Sequence, residues 1–261
     1  MQNKKSSRKP KVHKYDIYFT IFALAWTMLA TVAGQFLAAY PLHWILGDKL
    51  QEPGWMLVYY LITYAIALGM LVWAPTALVK IYCKNHSNLN AEAVKKVQQD
   101  LASTPTEMGV QHLPTFIDIG LAPIAYVVYV FMATVLTSLM SVFSWFNVNQ
   151  TQDVGFGYFI TDLDRVFALL AVVFIAPIAE ELIMRGWLYG KVRRKWKAPV
   201  AILLASLTFA VLHGQWNVGV SVFALSIVLC ALREITGTIW SGMLLHILSN
   251  GIAFYMLYVA I

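Results

Sequence analysis

Long apolar stretches dominate this sequence and alternate with short polar segments. The apolar stretches lie at about 17–40, 55–80, 118–143, 165–190, 199–214, 218–233 and 237–260. A stretch of about 20 apolar residues is long enough to cross the hydrocarbon layer of a bilayer as a helix. The pattern therefore predicts an all-α fold, a polytopic transmembrane helical bundle with about seven membrane segments.

Two of the stretches, 199–214 and 218–233, are short for complete crossings. They predict either tilted crossings or a short re-entrant helical hairpin around residues 214–217, which surrounding protein would have to shield from lipid. The polar segment at 89–103 carries leucine and valine at a helical spacing, opposite lysine, glutamine and aspartate. We expect a short interfacial helix there, and packing against the inner face of the bundle is the favoured interpretation.

The composition agrees with a membrane protein. Of the 261 residues, 59% are hydrophobic and only 12% are charged, and the mean hydropathy is +0.65. We expect a basic cytoplasmic tail at 1–16 and a single transmembrane domain at 17–261, with the candidate catalytic residues concentrated at about 165–261. The two cysteines, Cys83 and Cys230, are too few for a disulfide framework or a thiolate metal site.

The net charge of +6 is concentrated in the N-terminal tail, at residues 80–96 and in the run KVRRKWK at 191–197. In so apolar a chain the positive-inside rule explains these clusters better than nucleic-acid binding does, and we expect no nucleic-acid partner. Alternating helices from a cytoplasmic N-terminus then place 191–197 in the cytoplasm, and 214–217 and the C-terminus outside. Membrane lipids are the expected surroundings, and the first apolar stretch is too long for a cleaved signal peptide.

The sequence PIAEELIMRG at 177–186 places two adjacent glutamates and an arginine in the fourth apolar stretch. Glu181 and Arg185 are one helical turn apart, which predicts an ion pair that fixes the register of the helix. Glu180 points about 100° away from that pair. With no basic residue one turn away on its own helix, Glu180 must find a partner on another helix or bind a proton. The two glutamates therefore have different roles, but the sequence leaves open which of them faces a cavity.

Histidines on two further stretches supply the remaining candidate groups. His213 follows Phe209 by one helical turn, and His246 precedes Asn250 by one turn. Glu180, His213 and His246 form the two-histidine, one-carboxylate set that suits a catalytic zinc ion, although the cofactor is left unassigned. Equally, a glutamate could activate water as a general base, with a histidine polarising the carbonyl group and Asn250 donating to the oxyanion. Both mechanisms need a polar cavity, which we expect to reach the cytosolic side.

Counted at about 1.5 Å per residue from the ends of the predicted segments, these groups do not lie at the same depth in the membrane. His213 lies roughly 10 Å farther outward than Glu180 and His246, so tilt or an incomplete crossing of the fifth helix has to close the gap. The sequence contains neither HExxH nor G-x-S-x-G. The local motifs of zincins and of serine hydrolases are therefore excluded.

The three motifs resemble those of the CPBP intramembrane proteases, named for CaaX proteases and bacteriocin-processing enzymes. They stand here as EELIMR at 180–185, FAVLH at 209–213 and HILSN at 246–250, and the resemblance covers about 177–251. The resemblance implies a helical bundle around a membrane cavity and a water molecule activated by glutamate, and it leaves metal dependence open. The functional positions that it implies are Glu180, Glu181, His213, His246 and Asn250.

The resemblance leads to two hypotheses on function. The first is an intramembrane endopeptidase of a bacterial cytoplasmic membrane, which hydrolyses a peptide bond of a membrane-associated peptide or protein. Bacterial relatives are linked to bacteriocin maturation, self-immunity and peptide-pheromone processing, whereas eukaryotic relatives trim prenylated CaaX proteins, and the short loops favour the bacterial substrates. The second hypothesis is a non-catalytic membrane scaffold or immunity protein that binds a peptide or a sensor partner.

Overall fold

The computed structural model describes residues 13–86, 88–150, 156 and 161–259, which form a helical bundle. The first helices are α1 (Lys14–Leu46), α2 (Pro53–Val72), α3 (Ala74–Asn85), α4 (Ala91–Leu101), α5 (Pro105–Met108) and α6 (Phe116–Met140), with a 3-10 turn (Gly47–Gln51) after α1. They are followed by α7 (Asp162–Leu169), α8 (Ala176–Glu181), α9 (Gly190–Arg193), α10 (Ala198–Leu212), α11 (Trp216–Thr236) and α12 (Trp240–Tyr258). The predicted all-α fold is confirmed. The basic residues before residue 13 and the C-terminal Ile261 lie outside the described residues.

Within the described part of the chain, five helical runs are long and apolar enough to cross a membrane. They are Lys14–Gln51, Pro53–Val72, Phe116–Met140, Asp162–Arg193 and Trp216–Thr236. The helices α10 and α12 account for the two remaining predicted stretches, and the protein is a multi-pass membrane protein. With 21 residues α11 is not short for a crossing, whereas α10 has only 15. The two helices form a hairpin whose turn contains Gly214 at φ +65°.

The second predicted stretch, 55–80, is not a single helix. It divides at Trp73 into α2 and α3. Pro75 in the first turn of α3 lacks the N–H group that would continue the hydrogen bonds of α2, so the helical hydrogen-bond pattern is interrupted there.

The short helix predicted at 89–103 is present as α4. Asp100 ties this helix to the bundle, because it accepts hydrogen bonds from Tyr15 and Lys195, each at 2.7 Å. Burial alone would raise the pKa of Asp100, but these hydrogen bonds and the nearby Arg194 guanidinium hold it below its ordinary value. Asp100 is therefore ionised at neutral pH and pairs with the basic segment that follows α9.

The run Asp162–Arg193, which we call the glutamate helix, is continuous but irregular. Two π-helical stretches, Leu170–Ile175 and Leu182–Tyr189, alternate with α7, α8 and α9. Pro177 in α8 has no N–H group to donate, so a carbonyl group one turn earlier loses its helical partner. π-helical segments are rare and are frequent at functional sites.

The glutamate helix lies at the centre of the bundle. Its second π-helical stretch packs with α1, α2 and α10 in one apolar cluster, and its first packs with α12 in another. A third cluster joins α6, α11 and α12. Small residues allow close helix contacts: a Cβ atom added at Gly34 of α1 would lie 2.7 Å from the carbonyl oxygen of Thr63 on α2.

We call one end of the bundle the basic end; it carries α3, α4, α5 and residues 191–197. The short helix α5 closes this end. This short helix lies against the glutamate helix at Gly190, where a Cβ atom would lie 2.9 Å from the carbonyl oxygen of Glu107. Arg233 donates to the same carbonyl oxygen at 3.1 Å, and Arg194 bonds to the Glu107 carboxylate. Both the backbone and the side chain of Glu107 are thus hydrogen-bonded to neighbouring segments, Arg233 of α11 and Arg194 after α9.

Candidate active site

Glu180 lies in the middle of the glutamate helix, and its side chain is 22% exposed. The phenol of Tyr64 on α2 donates a hydrogen bond to Oε1 at 2.7 Å. Oε2 lies 3.7 Å from Nε2 of His246 on α12. The partners that Glu180 lacks on its own helix therefore come from two other helices.

Glu181 is fully buried, and its Oε1 atom is shared between two partners. Arg185 donates from Nη1 at 2.9 Å, and Nδ1 of His246 lies 3.1 Å away. Arg185 is also fully buried, with its guanidinium carbon 4.7 Å from the centre of the Phe209 ring. The ion pair expected from the spacing is present, and it includes a histidine from another helix.

His246 lies between the two glutamates. An ionised carboxylate only accepts hydrogen bonds, so Nδ1 carries the proton that faces Glu181. Nε2 carries a proton only when the ring is positively charged, and it would then pair with Glu180 across 3.7 Å. Gly242, one turn earlier on α12, leaves room for this arrangement, because a Cβ atom there would lie 3.3 Å from Oε2 of Glu181.

Phe209 of α10 joins the histidines to the buried pair. The centre of its ring lies 4.7 Å from that of His213 and 6.0 Å from that of His246, both edge-to-face. Nδ1 of His213 lies 2.8 Å from the carbonyl oxygen of Phe209. Because a carbonyl oxygen only accepts, Nδ1 carries the proton, and Nε2 of the neutral ring presents a lone pair.

Asn250 compensates for the proline in the glutamate helix. Its amide nitrogen donates to the carbonyl oxygen of Val172 at 2.9 Å. Val172 lies five residues before Pro177, so in a π-helical pattern its partner would be the N–H group that proline lacks. Asn250 therefore satisfies a carbonyl group inside the bundle and ties α12 to the glutamate helix.

Two cavities meet at Glu180. Cavity 1, of about 350 Å³, lies between α1, α2, the glutamate helix and α10. Cavity 2, of about 460 Å³, lies between α2, α6, the glutamate helix, α11 and α12. Both cavities are lined by Tyr60, Tyr64, Glu180 and His213, and cavity 2 is also lined by His246 and Asn250. The structure thus brings four of the six candidate side chains to one space and closes the gap expected between Glu180 and His213.

The glutamate that faces the cavities is Glu180, which the sequence left open. Glu181 and Arg185 lie behind it without exposed surface. Glu180 can therefore contact a substrate or water, whereas Glu181 holds His246 in place.

Both cavities extend from Glu180 away from the basic end. Their outer walls include Gln35 and Met56 in cavity 1, and Asn217 and Leu257 in cavity 2. These residues lie near the helix ends opposite to residues 191–197. At the basic end, where charge counts placed the expected cytosolic opening, the buried side chains after Arg185 and the α5 helix fill the space between the helices.

The side chains expected for a zinc site, Glu180, His213 and His246, do not fit one. Among the residues that the structure describes, no group of three His, Cys, Asp or Glu side chains could hold a metal ion. Nε2 of His246 lies 3.7 Å from Oε2 of Glu180, and Nδ1 of His213 is hydrogen-bonded to the carbonyl oxygen of Phe209. These positions suit hydrogen bonds between an acid, imidazoles and water.

Tyr64 was not predicted from the sequence. Its only signal was the pair of phenols at 60 and 64, which share one face of an apolar helix. Tyrosines in such helices are equally typical of the membrane interface. The packing of α2 on the glutamate helix places Tyr64 against Glu180, in the site and not at the membrane interface.

One comparison with known proteins finds a match. Residues 162–252 match the family model described as type II CAAX prenyl endopeptidase Rce1-like. The match spans the glutamate helix, α10, α11 and most of α12, and it leaves Tyr64 and cavity residues of α1 outside. No curated protein and no solved structure matches the chain.

Replacing Arg185 by methionine should destabilise the protein by about 3–5 kcal/mol, because Glu181 would become a buried charge without its cation. The double variant Arg185→Met with Glu181→Gln should recover most of the loss. The measurement is the thermal unfolding midpoint of each variant in detergent.

Arg165→Met is the matched control for this comparison. Arg165 pairs with Asp162 at 3.1 Å, but their side chains are 51% and 96% exposed. Exposed pairs contribute about 0–1 kcal/mol, so this variant should unfold close to the unaltered protein. A double variant no more stable than Arg185→Met alone would contradict the coupling of Glu181 and Arg185.

Proposed function

Because the chain belongs to the CPBP family of CAAX-type membrane proteases, we propose that it is an endopeptidase that cleaves peptide bonds with water activated by Glu180. The observation that carries this proposal is the position of Glu180. Its carboxylate is held by a phenol and faces an imidazole where two cavities meet. An ionisable group at membrane depth is costly and is a functional candidate by default.

In the proposed reaction, the attacking water lies between Glu180 and His213. Tyr64 occupies Oε1 of Glu180, so Oε2 receives a proton as the water oxygen bonds to the carbonyl carbon. The lone pair on Nε2 of His213 accepts the other hydrogen of the water and orients the attack. Glu180 then gives its proton to the amine nitrogen as the C–N bond breaks.

The developing oxyanion needs a hydrogen-bond donor. Asn250 uses one amide N–H group on Val172 and has a second, and it lines cavity 2 together with Glu180. We assign this second N–H group to the oxyanion. Glu181 and Arg185 do not contact the reacting atoms and act by positioning His246.

Glu180→Gln should lower the cleavage of a membrane-embedded peptide in proteoliposomes by about 10²–10⁴-fold, because an amide cannot accept the proton. Its unfolding temperature should stay close to that of the unaltered protein. Glu92→Gln is the matched control, since Glu92 lies in the first turn of α4 and lines neither cavity. Undiminished cleavage by Glu180→Gln would overturn the mechanism.

The same variant separates the protease from the non-catalytic alternative. A scaffold or immunity protein that only binds a peptide or a sensor partner would retain its cellular phenotype with glutamine at position 180. A protease would lose it.

The substrate is reached from the side opposite the cytoplasm in this proposal. The positive-inside rule assigns the basic end to the cytoplasm, and both cavities extend from Glu180 toward the other end. Prenylated cytosolic proteins would meet the closed basic end, whereas exported or membrane-inserted peptides would meet the cavities. This favours bacteriocin or pheromone processing, or self-immunity, at a bacterial cytoplasmic membrane.

Labelling of single cysteines tests this orientation in a Cys83→Ser background, where Cys230 is buried. Val148→Cys should react with a membrane-impermeant maleimide in intact cells, because Val148 lines cavity 2 and is 44% exposed. Lys95→Cys on α4 should react only after the membrane is permeabilised. The reverse pattern would place the cavities on the cytoplasmic side.

A further inference from the structure

We propose that cavities 1 and 2 are the two halves of one peptide-binding cleft, which holds an extended chain on both sides of the bond that is cut. This inference rests on the proposed function and adds a substrate class to it. The substrate is an internal, extended segment of a peptide, and not only the last residues of a chain.

The first argument is the way in which the cavities meet. Each has the volume of an ordinary ligand site, about 350 Å³ for cavity 1 and about 460 Å³ for cavity 2. They share Tyr60, Tyr64, Glu180 and His213. A carbonyl group attacked by water at Glu180 therefore has space of similar size on either side, through which the chain can continue in both directions.

The second argument concerns the backbone of the substrate. An extended chain inside a membrane carries unpaired N–H and C=O groups, which need polar partners. Cavity 1 offers hydroxyl and amide groups from Thr31, Gln35 and Tyr59. Cavity 2 offers the hydroxyl groups of Ser249 and Thr137 among its apolar side chains. Both cavities can thus hold a peptide backbone. An enzyme that removes only a short terminal piece would need just one cavity in which the chain continues.

The position of cavity 1, largely outside the matched region, is the third argument. Cavity 1 is walled largely by α1 and α2, which precede residues 162–252. The residues of the three motifs therefore supply the chemistry, and the first two helices supply half of the proposed binding surface. Changes in cavity 1 should alter which peptides are cut without altering the acid and the imidazoles.

Quenched fluorescent apolar peptides in proteoliposomes test the proposal, with the cleaved bond mapped by mass spectrometry. We expect cleavage at internal bonds with at least about three residues on each side, since an extended chain rises about 3.3 Å per residue. Shortening the peptide on either side of the bond should lower kcat by roughly ten-fold, because remote binding energy is lost in the transition state.

Two wall variants examine each half separately. Gln35→Trp narrows cavity 1, and Ala253→Trp narrows cavity 2. The matched controls are Leu37→Trp and Met256→Trp on the same helices, whose native side chains are 57% and 64% exposed and lie outside both linings. Each wall variant should exclude bulky residues from one side of the cleaved bond, on opposite sides for the two variants, and the controls should exclude none.

The outcomes distinguish the cleft from the chemistry. Cleavage confined to one terminus of every probe, or both wall variants restricting the same side, would overturn the two-sided cleft and leave hydrolysis at Glu180 intact. If the unaltered protein cleaves none of the probes, the proposed function fails and the cleft fails with it.

Discussion

The buried ion pair between Glu181 and Arg185 is the interaction on which the rest of the site depends. Two charges without exposed surface are stable only in good geometry and with further partners. Those partners are Nδ1 of His246 and the ring of Phe209, which lie on α12 and α10. The pair thereby fixes both helices against the glutamate helix and brings Nε2 of His246 toward Glu180.

The irregular glutamate helix imposes a second constraint, and α12 accommodates it. Pro177 removes a backbone donor, and Asn250 supplies one to the carbonyl group of Val172. Gly242 leaves room for the Glu181 carboxylate. Gly242, His246 and Asn250 follow one another at intervals of one turn and so lie on one face of α12. This face leaves room for the Glu181 carboxylate, contacts both glutamates and donates to the carbonyl group of Val172.

Contacts within one helix could be predicted from the sequence, because helical geometry alone fixes them. The Glu181–Arg185 pair and the placement of His213 one turn after Phe209 are of this kind. Contacts between helices could not be predicted in this way. The exposure of Glu180 and its bond to Tyr64 depend on how helices rotate against each other, and packing sets that rotation through small residues such as Gly34.

Two further features depend on contacts between helices and could not be predicted from the sequence. They are the end of the bundle toward which the cavities extend and the fit of the candidate residues to zinc. Residue types allowed a two-histidine, one-carboxylate site, but the side chains that the structure describes form no group of three that could hold a metal ion. Charge counts indicated where the basic residues lie, but they gave no information on the space between the helices. That space is filled at the basic end by α5 and by the buried residues after Arg185, so it opens at the other end.

The central claim is that His246 is held between two glutamates through different ring nitrogens. Nitrogen NMR of the protein with isotope-labelled histidine measures this directly, with the His246 signals assigned by their loss in His246→Gln. The account predicts that Glu181→Gln shifts chiefly the Nδ1 resonance and that Glu180→Gln shifts chiefly the Nε2 resonance. If neither substitution moves the His246 resonances, the account is contradicted.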